Sequence, residues 1–213
     1  MEGIIGAGKS HCLSHLSNYE TIEIQKEPVE SWQNWDGTNL LDLFYRDPYA
    51  YGYMFQNYVQ LTMFERHLKP PQNNIRIMER SIFSAHHVFQ RNLAENMEID
   101  DWEDKMLTSW FNLLTAYDRE PVCRMHLDLV VYIKVDPSIA LDRIKTRGRL
   151  EERFINLDYL QHLDLYHQQW LDSITNAEDP GDCKVLILDG NKPKDQMYEE
   201  YNKIIDCIMT MLN

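Results

Sequence analysis

Gly3-Ile4-Ile5-Gly6-Ala7-Gly8-Lys9-Ser10, near the start of a 213-residue chain, is the stretch whose reading decides the fold. It fits G-x-x-x-x-G-K-[ST], the loop that joins a strand to a helix around a phosphate chain. Glycines let such a loop curl until its backbone N–H groups face the phosphates. The helix that follows adds the positive end of its dipole. Lys9 is placed to reach β- and γ-phosphates, and the Ser10 hydroxyl to ligate Mg²⁺. Gly3, Gly6, Ala7, Gly8, Lys9 and Ser10 form the candidate phosphate set, with ATP and Mg²⁺ as the implied ligands. Such a loop normally follows a buried strand. Only Met1 and Glu2 precede Gly3, so the usual first strand is expected to be missing, as in an N-terminally shortened chain.

Outward from the loop, four short β-rich runs stand out at 21–26, 75–79, 129–135 and 184–188. Helical patterns lie between them, which predicts an α/β fold with a parallel sheet flanked by helices. Leu129-Val130-Val131-Tyr132-Ile133 is continuously apolar, as a central strand covered on both faces should be. Apolar residues at three- and four-residue steps predict helices over 49–68, 102–117 and 159–173. Residues 179–182, Asp-Pro-Gly-Asp, predict a turn before the last strand. Together with the loop this is a P-loop kinase fold in one domain spanning 1–213.

Composition narrows the partners. Apolar residues make up 44% and charged residues 26%, as in a globular chain, and the net charge is −13. An acidic chain is a poor general binder of nucleic acid or of anionic membrane, and no apolar run reaches the length of a membrane span. A polyphosphate therefore needs a local basic cluster. Lys134, Arg143, Lys145, Arg147, Arg149 and Arg153 supply the densest one. Cys12, Cys123, Cys183 and Cys207 are scattered, which argues against zinc or a disulfide framework and for a reducing compartment. No targeting peptide is read at the N-terminus; the expected location is cytoplasmic or mitochondrial.

Five further motifs occur in order: Glu27-Pro-Val-Glu-Ser-Trp32; Tyr45-Arg-Asp-Pro48; Phe55-Gln-Asn-Tyr-Val-Gln-Leu-Thr-Met63; Glu79-Arg-Ser-Ile-Phe-Ser-Ala85; and Arg143-x-x-x-Arg147-Gly-Arg149-x-Glu-Glu152. In this order and spacing the chain resembles the deoxyribonucleoside kinase family from Gly3 to about Gly190. The resemblance implies that Glu27 is the base that takes the proton from a sugar 5′-hydroxyl. A carboxylate at a strand's carboxyl end, facing the ligand crevice, suits that role. Arg80, after the next strand, can neutralise the transferring phosphoryl group and hold Glu27. Glu79 resembles a Mg²⁺-associated carboxylate. Arg143, Arg147 and Arg149 form a lid over about 143–153, able to converge on a γ-phosphoryl group.

The resemblance also places Gln56, Val59 and Met63 of one helix face, with Ala85 and Phe89 of the next, around the base. A Gln amide matches the N3/O4 edge of thymine or, flipped, the N3/N4 edge of cytosine. Trp32, Phe55 and Phe89 are candidates for ring stacking. In the deoxycytidine-preferring branch the positions of Met63 and Ala85 carry Arg and Asp; apolar Met63 and small Ala85 resemble the thymidine-accepting branch. Tyr45 and Glu152 match a pair on the sugar 3′-hydroxyl, which would reject sugars lacking it. His86 in place of Arg, Asn156 in place of Pro and Ile4 in place of a polar residue depart from the family pattern. His11 with His15, and His162 with His167, read as surface or packing residues.

The expected activity is ATP-dependent 5′-phosphorylation of deoxyribonucleosides, mainly thymidine and deoxycytidine, by a homodimer inhibited by a deoxynucleoside triphosphate. Two alternatives stand beside it: a nucleoside monophosphate kinase, and a catalytically impaired or structural member of the family. The first would need extra basic groups for an acceptor phosphate; the second conflicts with retention of Lys9, Ser10, Glu27, Arg80 and the lid arginines.

Overall fold

The computed structural model describes residues 1–116, 125–176 and 183–212. In chain order these form α1 (Lys9–Leu16), β1 (Ile22–Gln25), α2 (Val29–Gln33), α3 (Leu40–Arg46), α4 (Pro48–Leu68), β2 (Ile75–Met78) and α5 (Ile82–Ser84). A π-helical turn (Ala85–Gln90), α6 (Arg91–Glu95), α7 (Asp101–Thr115), β3 (Leu129–Lys134) and α8 (Pro137–Arg147) follow. A 3-10 turn (Leu150–Phe154), α9 (Leu157–Thr175), β4 (Lys184–Asp189), a second 3-10 turn (Lys194–Gln196) and α10 (Met197–Leu212) complete the described chain. All four strands fall on the runs read from sequence. Residue 117, the turn at 179–182 and Cys123 lie outside the described residues.

The pairing is parallel throughout: β1 with β2 from Ile22↔Ile75 to Gln25↔Met78, and β3 with β4 from Leu129↔Lys184 to Lys134↔Asp189. Met1 and Glu2 stand between the two pairs. On one side the Met1 amine donates to Met78 O (2.7 Å) and Arg80 N donates to Met1 O (2.9 Å). On the other, Glu2 N donates to Val131 O (2.7 Å) and Ile133 N to Glu2 O (3.0 Å). The order across the molecule is thus β1, β2, Met1–Glu2, β3, β4. The strand expected to be missing is held by two residues, enough to clamp the loop between β2 and β3. Toward the amino ends of those strands the same gap is a groove of about 690 Å³, lined among others by Ile75, Ile77, Leu129, Val130, Ile204 and Ile208.

From Met1–Glu2 the chain runs to β1 at one edge, whereas from β2 it crosses to β3 and on to β4, so the connections diverge at Met1–Glu2, between β2 and β3. Open α/β sheets place ligands there, beyond the strands' carboxyl ends. The central role of β3 follows from its sequence: Val130, Val131, Tyr132 and Ile133 are all buried. They pack with Leu13 and Leu16 of α1 and with Leu160 and Leu163 of α9 in one core. A second core of Trp32, Leu40, Phe55, Met63, Ile82 and Leu107 joins α2–α5 to α7.

Local chemistry fixes the helix ends. The Asp47 side chain accepts from Ala50 N, and Pro48 is the first residue of α4, a position that needs no N–H. Asp100 and Glu103 form a capping box on α7. The departure at Asn156 has a physical reason: Asn156 Oδ1 accepts from Tyr159 N at 2.8 Å and caps α9. Among the described residues, no helix is long and apolar enough to cross a membrane.

Candidate functional site

The phosphate loop is shaped by residues that have no room for a side chain. A Cβ on Gly6 (φ +83°) would stand 2.5 Å from Ala140 O, and one on Gly3 (φ +147°) 2.8 Å from Ile133 O. Ile4 is fully buried and Ala7 nearly so, so the apolar residue at position 4 anchors the loop in the core. Gly3 and Ala7 shape the loop without lining the cavity; Gly6, Gly8, Lys9 and Ser10 line it.

Lys9 folds back on its own loop, donating to Gly3 O (3.0 Å) and Ile4 O (3.1 Å). Burial, and then the neighbouring Arg80 charge, lower its pKa to about 7. Ser10 Oγ donates to Glu79 Oε1 at 2.8 Å. Sequence reasoning paired these two residues on a metal. They are hard oxygen donors, already in contact across the loop, and they fit a Mg²⁺ ion that keeps waters and phosphate oxygens as its other ligands.

Glu27 and Arg80 each lie two residues beyond a strand, β1 and β2. Arg80 Nε meets Glu27 Oε1 at 3.0 Å, with Arg80 almost wholly buried. Arg80 holds φ at +57°, a left-handed backbone unusual for a non-glycine residue. Its guanidinium lies 4.5 Å over the Phe89 ring. Phe89 therefore both faces the cavity and seats the arginine.

The apolar wall comes from α2, α3, α4 and the π-helical turn. Trp32 meets Phe55 edge-on at 5.7 Å, and Phe44 stacks on Phe55 at 4.8 Å. Trp32 Nε1 donates to Thr62 Oγ1 (3.0 Å), which fixes the indole. Gln56 Nε2 donates to Ala85 O at 2.6 Å, leaving its Oε1 and second N–H to read a ligand edge. Val59, Met63 and Ala85 are buried beside it. Burial, with Tyr159 and Glu152 nearby, holds the Tyr45 phenol well above its usual pKa, so it stays a neutral donor.

The segment read as a lid begins in α8 and turns at Gly148 (φ +67°), which caps that helix. Arg143 Nη2 donates to Gly190 O at 2.9 Å. Arg147 and Arg149 both pair with Glu152, through Oε2 and Oε1 respectively. Sequence placed these arginines over phosphate and Glu152 beside a sugar; here the acid and the two bases hold one another at the mouth. All these groups open on one cavity of about 790 Å³, within the range of small-molecule sites. Six Lys and Arg residues against four Glu line it, a local reversal of the −13 net charge.

His11 lines the cavity beside Ser10, and the other histidines lie apart from this chemistry. His86 stacks on Phe111 (3.9 Å) and its Nδ1 meets Gln90 Oε1 (2.9 Å). His167 is buried against Leu163 O. His11 and His15 pack, half-buried, with Tyr198 and Tyr201 rather than lying open on the surface. The lining residues that sequence reasoning did not name include Lys26, Phe44 and Tyr159, and it also missed Arg66, buried behind the cavity. Arg66 was detectable, because it puts a charge on the same α4 face as Val59 and Met63.

A sequence model described as deoxynucleoside kinase matches residues 1–213. The chain belongs to the deoxynucleoside kinase family. It is 36% identical to "Thymidine kinase 2, mitochondrial" of Homo sapiens over all of this chain and 78% of that protein. It is 31% identical to "Deoxycytidine kinase 2" of Gallus gallus over all of this chain and 89% of that one. It is 30% identical to "Deoxyguanosine kinase, mitochondrial" of Xenopus laevis over 88% and 79% respectively. As a member of this family the protein is a phosphotransferase acting on nucleosides, with ATP as the family's phosphate donor.

Proposed function

We propose that this kinase transfers the γ-phosphoryl group of ATP to the 5′-hydroxyl of deoxyribonucleosides, thymidine and deoxycytidine foremost, with deoxypurines as weaker substrates. The observation that carries the reading is Glu27, held by Arg80 at 3.0 Å, opening on the cavity that also presents Lys9 and the Gln56 amide. The 5′-oxygen attacks the γ-phosphorus, Glu27 accepts the hydroxyl proton, and ADP leaves. Arg80, Arg147 and Arg149 offset charge on the phosphoryl oxygens once Glu152 turns to the 3′-hydroxyl beside Tyr45. Ser10 and Glu79 would hold Mg²⁺, which would supply further charge neutralisation at the phosphates.

The test is direct. The purified chain with ATP should convert thymidine and deoxycytidine to monophosphates and leave thymidine monophosphate unchanged. Preference for the monophosphate would mean a nucleoside monophosphate kinase, and no turnover of any deoxynucleoside by folded protein would mean a silent member. Met63 and Ala85 set the base preference in this reading. The double variant Met63→Arg/Ala85→Asp should lose about 10–100-fold in kcat/KM for thymidine while keeping deoxycytidine, since an ion pair would fill the space beside the thymine methyl. Equal losses on both substrates would sink that assignment.

The same reading makes the enzyme a homodimer. Trp102, Met106, Trp110 and Leu113 of α7 are 77%, 50%, 47% and 62% exposed, and they recur along one helix face. α7 packs on α4, which adds exposed Met54 and Leu61. Trp110→Glu should give a monomer by light scattering; a wild type that is already monomeric would sink the dimer. Two of the relatives are named mitochondrial, and a mitochondrial or cytoplasmic location is part of the proposal.

A further inference from the structure

Arg66 is 4% exposed, near the end of α4, and stands behind the cavity rather than lining it. Its Nη2 donates to Gln25 O at 2.7 Å, its Nη1 to Arg80 O at 3.4 Å, and the same Nη1 lies 2.8 Å from Met63 Sδ. Gln25 is the last residue of β1, and its carbonyl also accepts from Glu79 N at 2.8 Å. One guanidinium therefore bridges the carboxyl ends of β1 and β2 and touches the helix face that carries Gln56, Val59 and Met63. Beyond those strand ends stand Glu27 on one side and Glu79 and Arg80 on the other.

Two features argue against a mere core filler. Arg80 sits at φ +57°, a conformation that persists only where the surroundings over-determine it, and Arg66 holds that residue's carbonyl. A planar fork can also span two carbonyls on different strands, whereas an ammonium is a point donor. Burial lowers the Arg66 pKa, and Glu27, Glu79 and Glu2 offset only part of that cost.

We propose that Arg66 is a positioning residue for phosphoryl transfer. It ties the ends of β1 and β2 to the Met63 face of α4 and so sets the spacing between Glu27, Arg80 and the bound nucleoside. The proposal rests on the reading of Glu27 and Arg80 given above. It concerns turnover rather than affinity, because the groups that Arg66 places act on the moving proton and phosphoryl group.

The experiment compares wild type, Arg66→Lys and Arg66→Gly by steady-state kinetics on thymidine and ATP, with circular dichroism to fix the folded fraction. Arg66→Lys should lower kcat about 30-fold, the scale of a sub-ångström misplacement, with both KM values within about threefold of wild type. Added methylguanidinium should raise kcat of Arg66→Gly at least tenfold and leave wild type and Arg66→Lys unaffected. An Arg66→Lys enzyme with kcat within threefold of wild type overturns the proposal. So does an activity loss that only follows the folded fraction, with no guanidinium rescue. If Arg66→Gly does not fold, the kcat and KM values of Arg66→Lys decide alone. An inactive wild type would instead sink the assignment of Glu27 and Arg80, which separates the two failures.

Discussion

Glu27→Gln lowers kcat for thymidine by about 10²–10⁴-fold, the range that a positioned general base supplies. The substitution keeps the shape of the side chain and leaves Oε1 able to accept from Arg80 Nε, now 3.0 Å away. It removes the capacity to take up a proton near neutral pH. Because Arg80 is buried and loses its counter-charge, a drop in thermal stability accompanies the change, as breaking a partly buried pair costs the charge left behind. The two effects separate by measurement. ATP binding by calorimetry should stay within about threefold of wild type, since Glu27 takes no part in the phosphate loop, while turnover by folded enzyme collapses. A Glu27→Gln enzyme that retains a tenth or more of wild-type kcat would falsify the assignment of the base.

Much of this site was legible in the sequence because its groups sit where strands stop. Glu27 precedes Pro28, and Glu79-Arg80-Ser81 follows an apolar strand, so local pattern alone put carboxylates and a guanidinium at one edge of a parallel sheet. What was not legible depends on contacts distant in the chain. Two residues, Met1 and Glu2, carry no strand pattern, yet they join both halves of the sheet through bonds to Met78, Arg80, Val131 and Ile133. The place of Arg66 on the Met63 face of α4 can be read from spacing, but its acceptors, the Gln25 and Arg80 carbonyls, cannot. The engagement of Glu152 by Arg147 and Arg149 is likewise a matter of tertiary geometry. Spacing showed three basic residues and an acid close together, and a helix face or a phosphate cluster would have explained them equally well. The π-helical turn at Ala85–Gln90 follows the motif segment without any signal of its own, and it presents the Ala85 carbonyl to Gln56.

Lys9→Met gives an enzyme that loses about 10²–10³-fold in kcat/KM for ATP, the cost of removing one donor aimed at developing charge, and yet gains stability near neutral pH without nucleotide. Both parts follow from where the ammonium sits. In the free protein Lys9 is buried on the loop carbonyls, and its pKa falls from 10.5 to about 7. A lowered pKa means that folding opposes the charged form. Between about pH 7 and 10.5 the unfolded chain carries a proton that the folded chain has shed, so the free enzyme gains stability from this group as pH rises through that window. Below about pH 7 the group is charged in both states and its destabilising contribution is fully present. Methionine fills similar space without that cost, so the slope should flatten and the melting temperature at pH 7 should rise. Triphosphate reverses the balance, because its charge pairs with the ammonium and draws the pKa back up. At about pH 8 wild type should then take up a fraction of a proton for each ATP bound, seen as a dependence of the calorimetric heat on the buffer's ionisation enthalpy. Lys9→Met should show none. Equal proton uptake by both proteins would mean that another group, not Lys9, changes charge when the phosphates arrive.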